Sequence, residues 1–517
     1  MPEMLNVRVD STVGSSKVIP IFDQVLTESG REQVGENMNR NNVSSETLAV
    51  EVVENSTMIG IPEDEFSGEK NPQDAWLPIT ESRKGNTLTA AVHLLSSGIG
   101  TQALLLPVAF VSLGWFWGIL LLSLVFCWQL YTIWLLVNLH EPSPQTGIRY
   151  SRFLHLSIVA FGEKLGKWLA MFPTMYLSGG TCALYIISGG TTMELFYQAM
   201  CEDNLKCQAK SLTGAQWFLL FICLAIFIAF FVRNLNSVAP ISVIGSITVI
   251  AYCSLLWILS VSKGGPDHDQ VDAPILPHHN NNDSAGVFRN VLNSIGMIAL
   301  AFRGHNLVLE IQGTLPTNTK QPSLKSMWRG VAISYLLIAM CLFPLAIVGY
   351  WAYGNKIPMN GGILTAFTKL HRNNTSKYMI GAVYLIIIIS YLCAFQIYAM
   401  PVFDNLARLY TSRKKACPSW FRAATKLWLG GLTYFVAVTF PFLPSLGAFT
   451  GSIVLPLTLV YPCLMWVAIK KPARFSRMWC LNVGLASLGI MLSLMCATAA
   501  LWSLIINGVD ANFFKPR

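Results

Sequence analysis

Two short stretches carry most of the information: Leu94-Leu95-Ser96-Ser97-Gly98-Ile99-Gly100-Thr101, running on to Leu104-Leu105-Leu106-Pro107, and Phe302-Arg303-Gly304-His305-Asn306, which follows Met297–Ala301 and leads into Leu307-Val308-Leu309-Glu310. Each lies inside an apolar run long enough to be a membrane helix. Each interrupts that run with glycine and polar residues near its middle. Peptide groups without partners cannot face lipid, because each costs several kcal/mol, so a break of this kind is tolerated only where backbone lines a cavity. Glycine in a membrane helix also serves close packing. Two interruptions in corresponding spans, however, point to the binding site of a secondary transporter. Half-helix N-termini present N–H groups and positive dipole ends, which suit a carboxylate. Half-helix C-terminal carbonyls suit an ammonium. A zwitterionic amino acid needs both.

The rest of the chain agrees with lipid as the main solvent. Of its 517 residues 53% are apolar and 12% charged, about half the charge of an ordinary soluble domain, and mean hydropathy is +0.49. Eleven stretches reach the roughly 20 apolar residues that a crossing helix needs: 88–111, 114–138, 167–197, 215–232, 238–262, 287–311, 330–351, 377–403, 424–443, 448–469 and 479–506. They are longer than barrel strands and do not alternate. The expected fold is an all-α polytopic membrane protein of eleven transmembrane helices. Its first and sixth helices, discontinuous, are corresponding members of two five-helix sets.

Charge divides the chain near Lys84. Residues 1–84 hold 7 Lys/Arg and 15 Asp/Glu, net −8, whereas residues 85–517 hold 29 and 12, net +17. The first part reads as a disordered acidic cytosolic tail, with no apolar segment after a basic start that would make a secretory signal. Residues 85–507 form the transporter domain and 508–517 a short extracytosolic tail. With the N-terminus inside, the inner loops collect eighteen Lys/Arg and the outer loops with the C-terminus ten, as the positive-inside rule requires. The same orientation puts the glycosylation sequons at Asn282, Asn373 and Asn374 outside. Cys201 and Cys207, the only cysteines of an outer loop, then lie where a disulfide forms. The positive charges lie between apolar runs and line no single face, so no nucleic acid is expected as a partner. Enzyme signatures and metal-ligand spacings are missing, and no cofactor or resident metal is expected.

Few ionisable groups lie inside the spans, and each is costly there. Arg303 is the deepest and should meet a carboxylate in a watery cavity. His305 can titrate near neutral pH and is the first candidate for proton coupling; a neutral ring bonded to a carbonyl is the alternative. Glu310 could answer Arg303, carry a proton or close an inner gate. Asp404, just after Pro401, reads as a cap or gate. Tyr176, Ser178, Gly179, Gly180, Thr181 and Tyr185 in the third span, with Ser390, Tyr391, Gln396 and Tyr398 in the eighth, are candidates to border the cavity. A sodium site would use carbonyls with hydroxyls such as those of Ser97 and Thr101, but nothing in the pattern demands one. Residues 150–161 read as an interfacial helix or an ordered loop.

Several stretches resemble plant amino acid permeases: Trp76-Leu77-Pro78-Ile79-Thr80-Glu81-Ser82-Arg83, Ser97-Gly98-Ile99-Gly100-Thr101-Gln102-Ala103-Leu104, Leu113-Gly114-Trp115, Phe161-Gly162-Glu163-Lys164, Phe302 to Gln312, and Met400-Pro401-Val402-Phe403-Asp404. The likeness is to the amino acid/auxin permease family, in its lysine/histidine-transporter-like branch, and covers roughly residues 75–517. It implies a LeuT-like fold with a five-plus-five inverted repeat and proton-driven amino acid uptake at the plasma membrane. Backbone at Ser97, Gly98, Ile99, Gly100 and Thr101, and at Phe302, Arg303, Gly304 and His305, would hold the substrate. Members of that branch tend to carry a small residue where this chain has Arg303, and a glutamate where it has Ala407. A cation at 303 disfavours cationic substrates by like-charge repulsion, which leaves neutral or acidic amino acids. Rival expectations are a membrane sensor signalling through the acidic tail, and a carrier of another small carboxylate.

The reading of Arg303 predicts that Arg303→Ala weakens uptake of neutral or acidic amino acids and admits cationic ones. Competition uptake assays check this, and unchanged selectivity and affinity would remove Arg303 from the site.

Overall fold

The computed structural model describes residues 76–142, 148–201, 212–263, 284–302, 304–317, 322–358, 361–411, 417–442, 447–507 and 514. Arg303, Cys207, Asn282 and residues 1–75 therefore lie outside the described residues. Among the described residues the secondary structure is helical, with one isolated β-bridge, between Ile99 and Phe302. In chain order the helices are α1 (Thr87–Gly98), α2 (Leu106–His140), α3 (Phe153–Phe161), α4 (Glu163–Met175), α5 (Thr181–Met200), α6 (Gly214–Phe231), α7 (Ala239–Lys263) and α8 (Ser284–Ala301). There follow α9 (His305–Gly313), α10 (Ser323–Tyr353), α11 (Gly362–His371), α12 (Lys377–Thr411), α13 (Ser419–Thr439), α14 (Gly447–Leu455), α15 (Tyr461–Lys470) and α16 (Arg477–Asn507).

Both expected breaks are present. α1 ends at Gly98, Ile99 and Gly100 are extended, and a 3₁₀ turn over Thr101–Leu105 leads into α2. α2 is itself two helices joined at a sharp kink, where Gly114 takes φ +71° and ψ −177°. α8 stops at Ala301 and α9 starts at His305. Between them Gly304 takes φ +106°, a left-handed conformation that side chains other than glycine avoid. Ile99 and Phe302 then pair across the two breaks as an antiparallel bridge.

Two π-turns widen other helices. One, Tyr176–Gly180, joins α4 to α5, and the other, Pro456–Val460, joins α14 to α15. Pro456 explains the second. Proline has no N–H to donate to the carbonyl four residues back, and that carbonyl, on Ser452, accepts the Ser493 hydroxyl at 2.8 Å instead.

Among the described residues, seven helical segments are each long and apolar enough to cross a bilayer: Thr101–His140, Gly214–Phe231, Leu235–Lys263, Ser323–Lys356, Lys377–Thr411, Gly447–Lys470 and Arg477–Ile506. The other expected spans fall short for local reasons. The first and sixth are split by their breaks. The third carries a polar run around its π-turn, and the ninth starts with Arg422 and Lys426. The packed body begins before Lys84, since Leu77, Ile79 and Thr80 are already buried. Residues 150–161 do not simply lie on a surface. α3 buries Phe153, His155, Leu156 and Ser157.

α8 packs against α14 and α2, α12 against α5 and α7, and α1 against α10 and α7. Glycine sets the closest of these approaches. A Cβ on Gly451 of α14 would run into the carbonyl oxygen of Gly296 on α8, and one on Gly296 would come within 2.9 Å of the Ala448 oxygen. Gly451→Val should therefore overpack the contact that supports α8 just before its break, at a cost of about 1–3 kcal/mol. Lower thermal stability of the purified protein in detergent is the expected result, and an unchanged melting curve would refute the contact.

Candidate functional site

The unwound segments solve their own hydrogen-bonding problem, and in doing so they shape the site. The last four carbonyls of a helix lack partners within it. At the end of α1, the Ser97 carbonyl accepts the Tyr398 hydroxyl of α12 at 2.8 Å. Near the end of α8, the Ala299 carbonyl accepts from Gln129 Nε2 of α2 at 3.1 Å. The N-terminus of α9 has no side-chain cap. Its first residues instead border a cavity of about 190 Å³, more than ten times what one water needs.

Gly304, His305 and Asn306 line that cavity with Leu300 before the break, Tyr176, Leu177, Gly180, Thr181 and Leu184 from the third span, and Tyr398 from α12. Val436 of α13 and Thr450, Val454 and Thr458 from α14 and its π-turn complete the wall. Both π-turns therefore contribute, in keeping with their frequent use at functional sites. Asn306 Nδ2 donates to Ser178 Oγ at 3.0 Å, tying the start of α9 to the first π-turn. Among the described lining residues none is Asp, Glu, Lys or Arg.

Of the nine residues expected to hold substrate, Gly304 and His305 line the cavity. Ser97 is turned back on α1, its Oγ donating to the His93 carbonyl at 2.7 Å. Ile99 and Phe302 face each other in the bridge. Gly98 and Gly100 flank that paired peptide, and Thr101 Oγ1 donates to Gln102 Oε1 at 2.9 Å. The His305 ring reaches α2. Its Nε2 lies 2.9 Å from Thr132 Oγ1 and 3.3 Å from the Gln129 carbonyl oxygen of α2. Leu300, Val436, Thr450, Val454 and Thr458 were not foreseen. Pro456 and Pro462, six residues apart inside an apolar run, were the available signal for the last three.

A second cluster gathers against Ile79 and Thr80, ahead of α1. Arg152, just before α3, bonds Asp404 of α12 through Nε at 2.6 Å, and both side chains are buried. Asp404 Oδ1 also accepts the Ile79 N–H at 3.2 Å. Arg149 pairs with Glu141 at 2.9 Å and donates to the carbonyls of Gln312 and Leu315 at 3.3 and 2.9 Å, a cation at the C-terminal end of α9, where the helix dipole favours it. Glu310 Oε1 accepts the Phe153 N–H at 3.4 Å. Asp404 thus sits in a buried ion pair that joins α12 to the start of α3 and to the segment before α1.

Cys201 is disulfide-bonded, and the ten other described cysteines are free. Asn373 and Asn374 end a 3₁₀ turn, Arg372–Asn374, after α11. Among the described residues no group of three or more His, Cys, Asp or Glu could hold a metal ion.

The profile of the family described as transmembrane amino acid transporter protein matches residues 83–506. Lysine histidine transporter-like 8 of Arabidopsis thaliana is 48% identical over 447 residues, 86% of this chain and 84% of that protein. Lysine histidine transporter-like 7 of the same plant is 46% identical over 459 residues, 87% of this chain and 93% of that one. Among solved structures, MHP1, a nucleobase-cation-symport-1 family transporter in a closed conformation with bromovinylhydantoin bound, aligns with a TM-score of 0.55. It has 12% identity and covers 86% of this chain and 95% of its own. That likeness shows the fold alone. The relatives are transporters, not enzymes, and the chain is a multi-pass integral membrane protein that belongs to the transmembrane amino acid transporter family.

Proposed function

We propose that the protein is a proton-coupled symporter that imports neutral or acidic amino acids across the plasma membrane by alternating access. The observation that carries this reading is the meeting of two interrupted helices at the Ile99–Phe302 bridge, beside a cavity lined by the uncapped start of α9. The positive end of α9 attracts the substrate carboxylate, while carbonyls at the ends of α1 and α8 take the ammonium. The lining favours neutral side chains, because the residues described there carry no charge.

In this reading the chain crosses the membrane eleven times as a five-plus-five inverted repeat in a LeuT-like arrangement. Its N-terminus is cytosolic and its C-terminus extracellular. The Arg152–Asp404 end is then the inner gate, held shut by that ion pair. Substrate enters from the opposite side, and release requires that gate to part. The coupling ion is the proton rather than sodium, with His305, Glu310 and Asp404 as the groups available to it. Asn282, Asn373 and Asn374 are outward glycosylation sites, and Cys201 pairs with Cys207 in the same oxidising compartment.

Uptake and current in voltage-clamped cells, measured at external pH 5.5 and 7.5 across the common amino acids, test this reading. Inward current with neutral or acidic amino acids should be larger at pH 5.5 and persist without sodium. Silence for every amino acid, with surface expression verified, would refute it.

A further inference from the structure

We propose that Glu310 is the group that carries the coupling proton, and that it gives the proton up at the inner gate by competing with Asp404 for Arg152. The inference rests on the proton-coupled reading above and deepens it by naming the carrier. Glu310 lies five residues beyond His305 on α9, about 7.5 Å along the helix axis. It is 3% exposed. Its side chain therefore sits between the cavity and the ion-paired end, on the half-helix that borders both.

The bonding around Glu310 is incomplete. A carboxylate offers about four acceptor positions. Here Oε1 receives one long bond from the Phe153 N–H, and Oε2 has no hydrogen-bond partner. Phe153 follows Arg152 in sequence, yet the Arg152 guanidinium is committed elsewhere. Its Nε donates to Asp404 Oδ2 at 2.6 Å and one terminal nitrogen reaches Asp404 Oδ1 at 3.5 Å. A buried ionised carboxylate left without its cation is costly, by several kcal/mol. A neutral carboxylic acid fits the same place without that cost.

The elements packed against α9 offer few other charges. α3 contributes Arg152 and His155, and α12 contributes Asp404. α2 carries His140 and, just past its end, Glu141, which is paired with Arg149. His93 of α1 is turned to Ser242 at 2.7 Å. Lys325 and Arg329 of α10 are exposed, and the Pro456–Val460 turn has no titratable group. Arg152 and Asp404 are the charged groups that act on Glu310.

The step follows directly. While Glu310 is protonated, Arg152 belongs to Asp404, Asp404 holds the Ile79 N–H, and the inner end stays closed. When water reaches Glu310 from the inner side, the O–H bond at its carboxyl breaks, the proton passes to water, and a carboxylate remains. That carboxylate draws Arg152 from Asp404, which frees Ile79 and opens the gate. The next proton arrives through the cavity from the outer side.

The test compares wild type, E310Q and E310D in cells expressing the full chain, by labelled amino acid uptake between pH 5 and 8 and by counterflow exchange. Glutamine keeps the volume and an oxygen for the Phe153 N–H. Glutamine cannot become the carboxylate that draws Arg152 from Asp404, so E310Q should lose both net uptake and exchange of internal for external substrate at every pH, while it still reaches the surface and binds labelled amino acid. E310D should keep coupling with a displaced pH midpoint. Wild-type pH dependence and accumulation in E310Q, or an unmoved midpoint in E310D, would overturn the role of Glu310 and leave the transporter reading intact. A wild type whose uptake ignores pH would overturn both. A purely structural role would change surface expression of the variants without moving the pH profile.

Discussion

The backbone pairing of Ile99 with Phe302 is the interaction on which the architecture depends. In an interior without water, every unwound peptide group must find a partner inside the protein. The two breaks meet that demand largely through one another and through the helices beside them. The bridge joins their extended residues, Tyr398 takes the Ser97 carbonyl, and Gln129 takes the Ala299 carbonyl. The start of α9 has no side-chain cap and borders the cavity.

α9 links this region to the ion-paired end. Gly304 gives it a sharp start in a left-handed conformation, and Arg149 holds its C-terminal carbonyls. This nine-residue helix carries His305 and Asn306 at the cavity and Glu310 beside the Phe153 N–H, next to Arg152 in sequence. Buried ion pairs such as Arg152–Asp404 add little net stability, but breaking one by removing a partner is strongly destabilising. Losing either partner would therefore loosen the contact between the start of α3 and α12.

Much of the architecture was legible in the sequence because it follows from composition over long windows. Apolar runs gave the helices, and the Ser-Gly-Ile-Gly and Arg-Gly-His-Asn interruptions gave the breaks at the right residues. The site was less legible because side-chain direction depends on tertiary neighbours. Ser97 and Thr101 looked like ligands by position, yet local bonds along their own segments satisfy them. His305 looked like the group facing substrate, yet Thr132 and Gln129, more than 170 residues away in sequence, hold its ring. The partner of Asp404 could not be read for the same reason, since Arg152 is 252 residues distant. The π-turns left only a faint trace, Pro456 and the Gly179-Gly180 pair. Helix widening is decided by which carbonyl finds another donor, as Ser452 finds Ser493.

The central claim is that two interrupted helices, paired through their backbones, cradle a small zwitterion at the start of α9. A cryo-electron microscopy map of the purified protein with a saturating transported amino acid tests it most directly. Density for the amino acid should lie against Gly304, His305 and Asn306, with its carboxylate at the α9 N-terminus and both helices interrupted. Continuous helices through Gly98–Thr101 and Phe302–Gly304, or an amino acid bound away from them, would contradict the account.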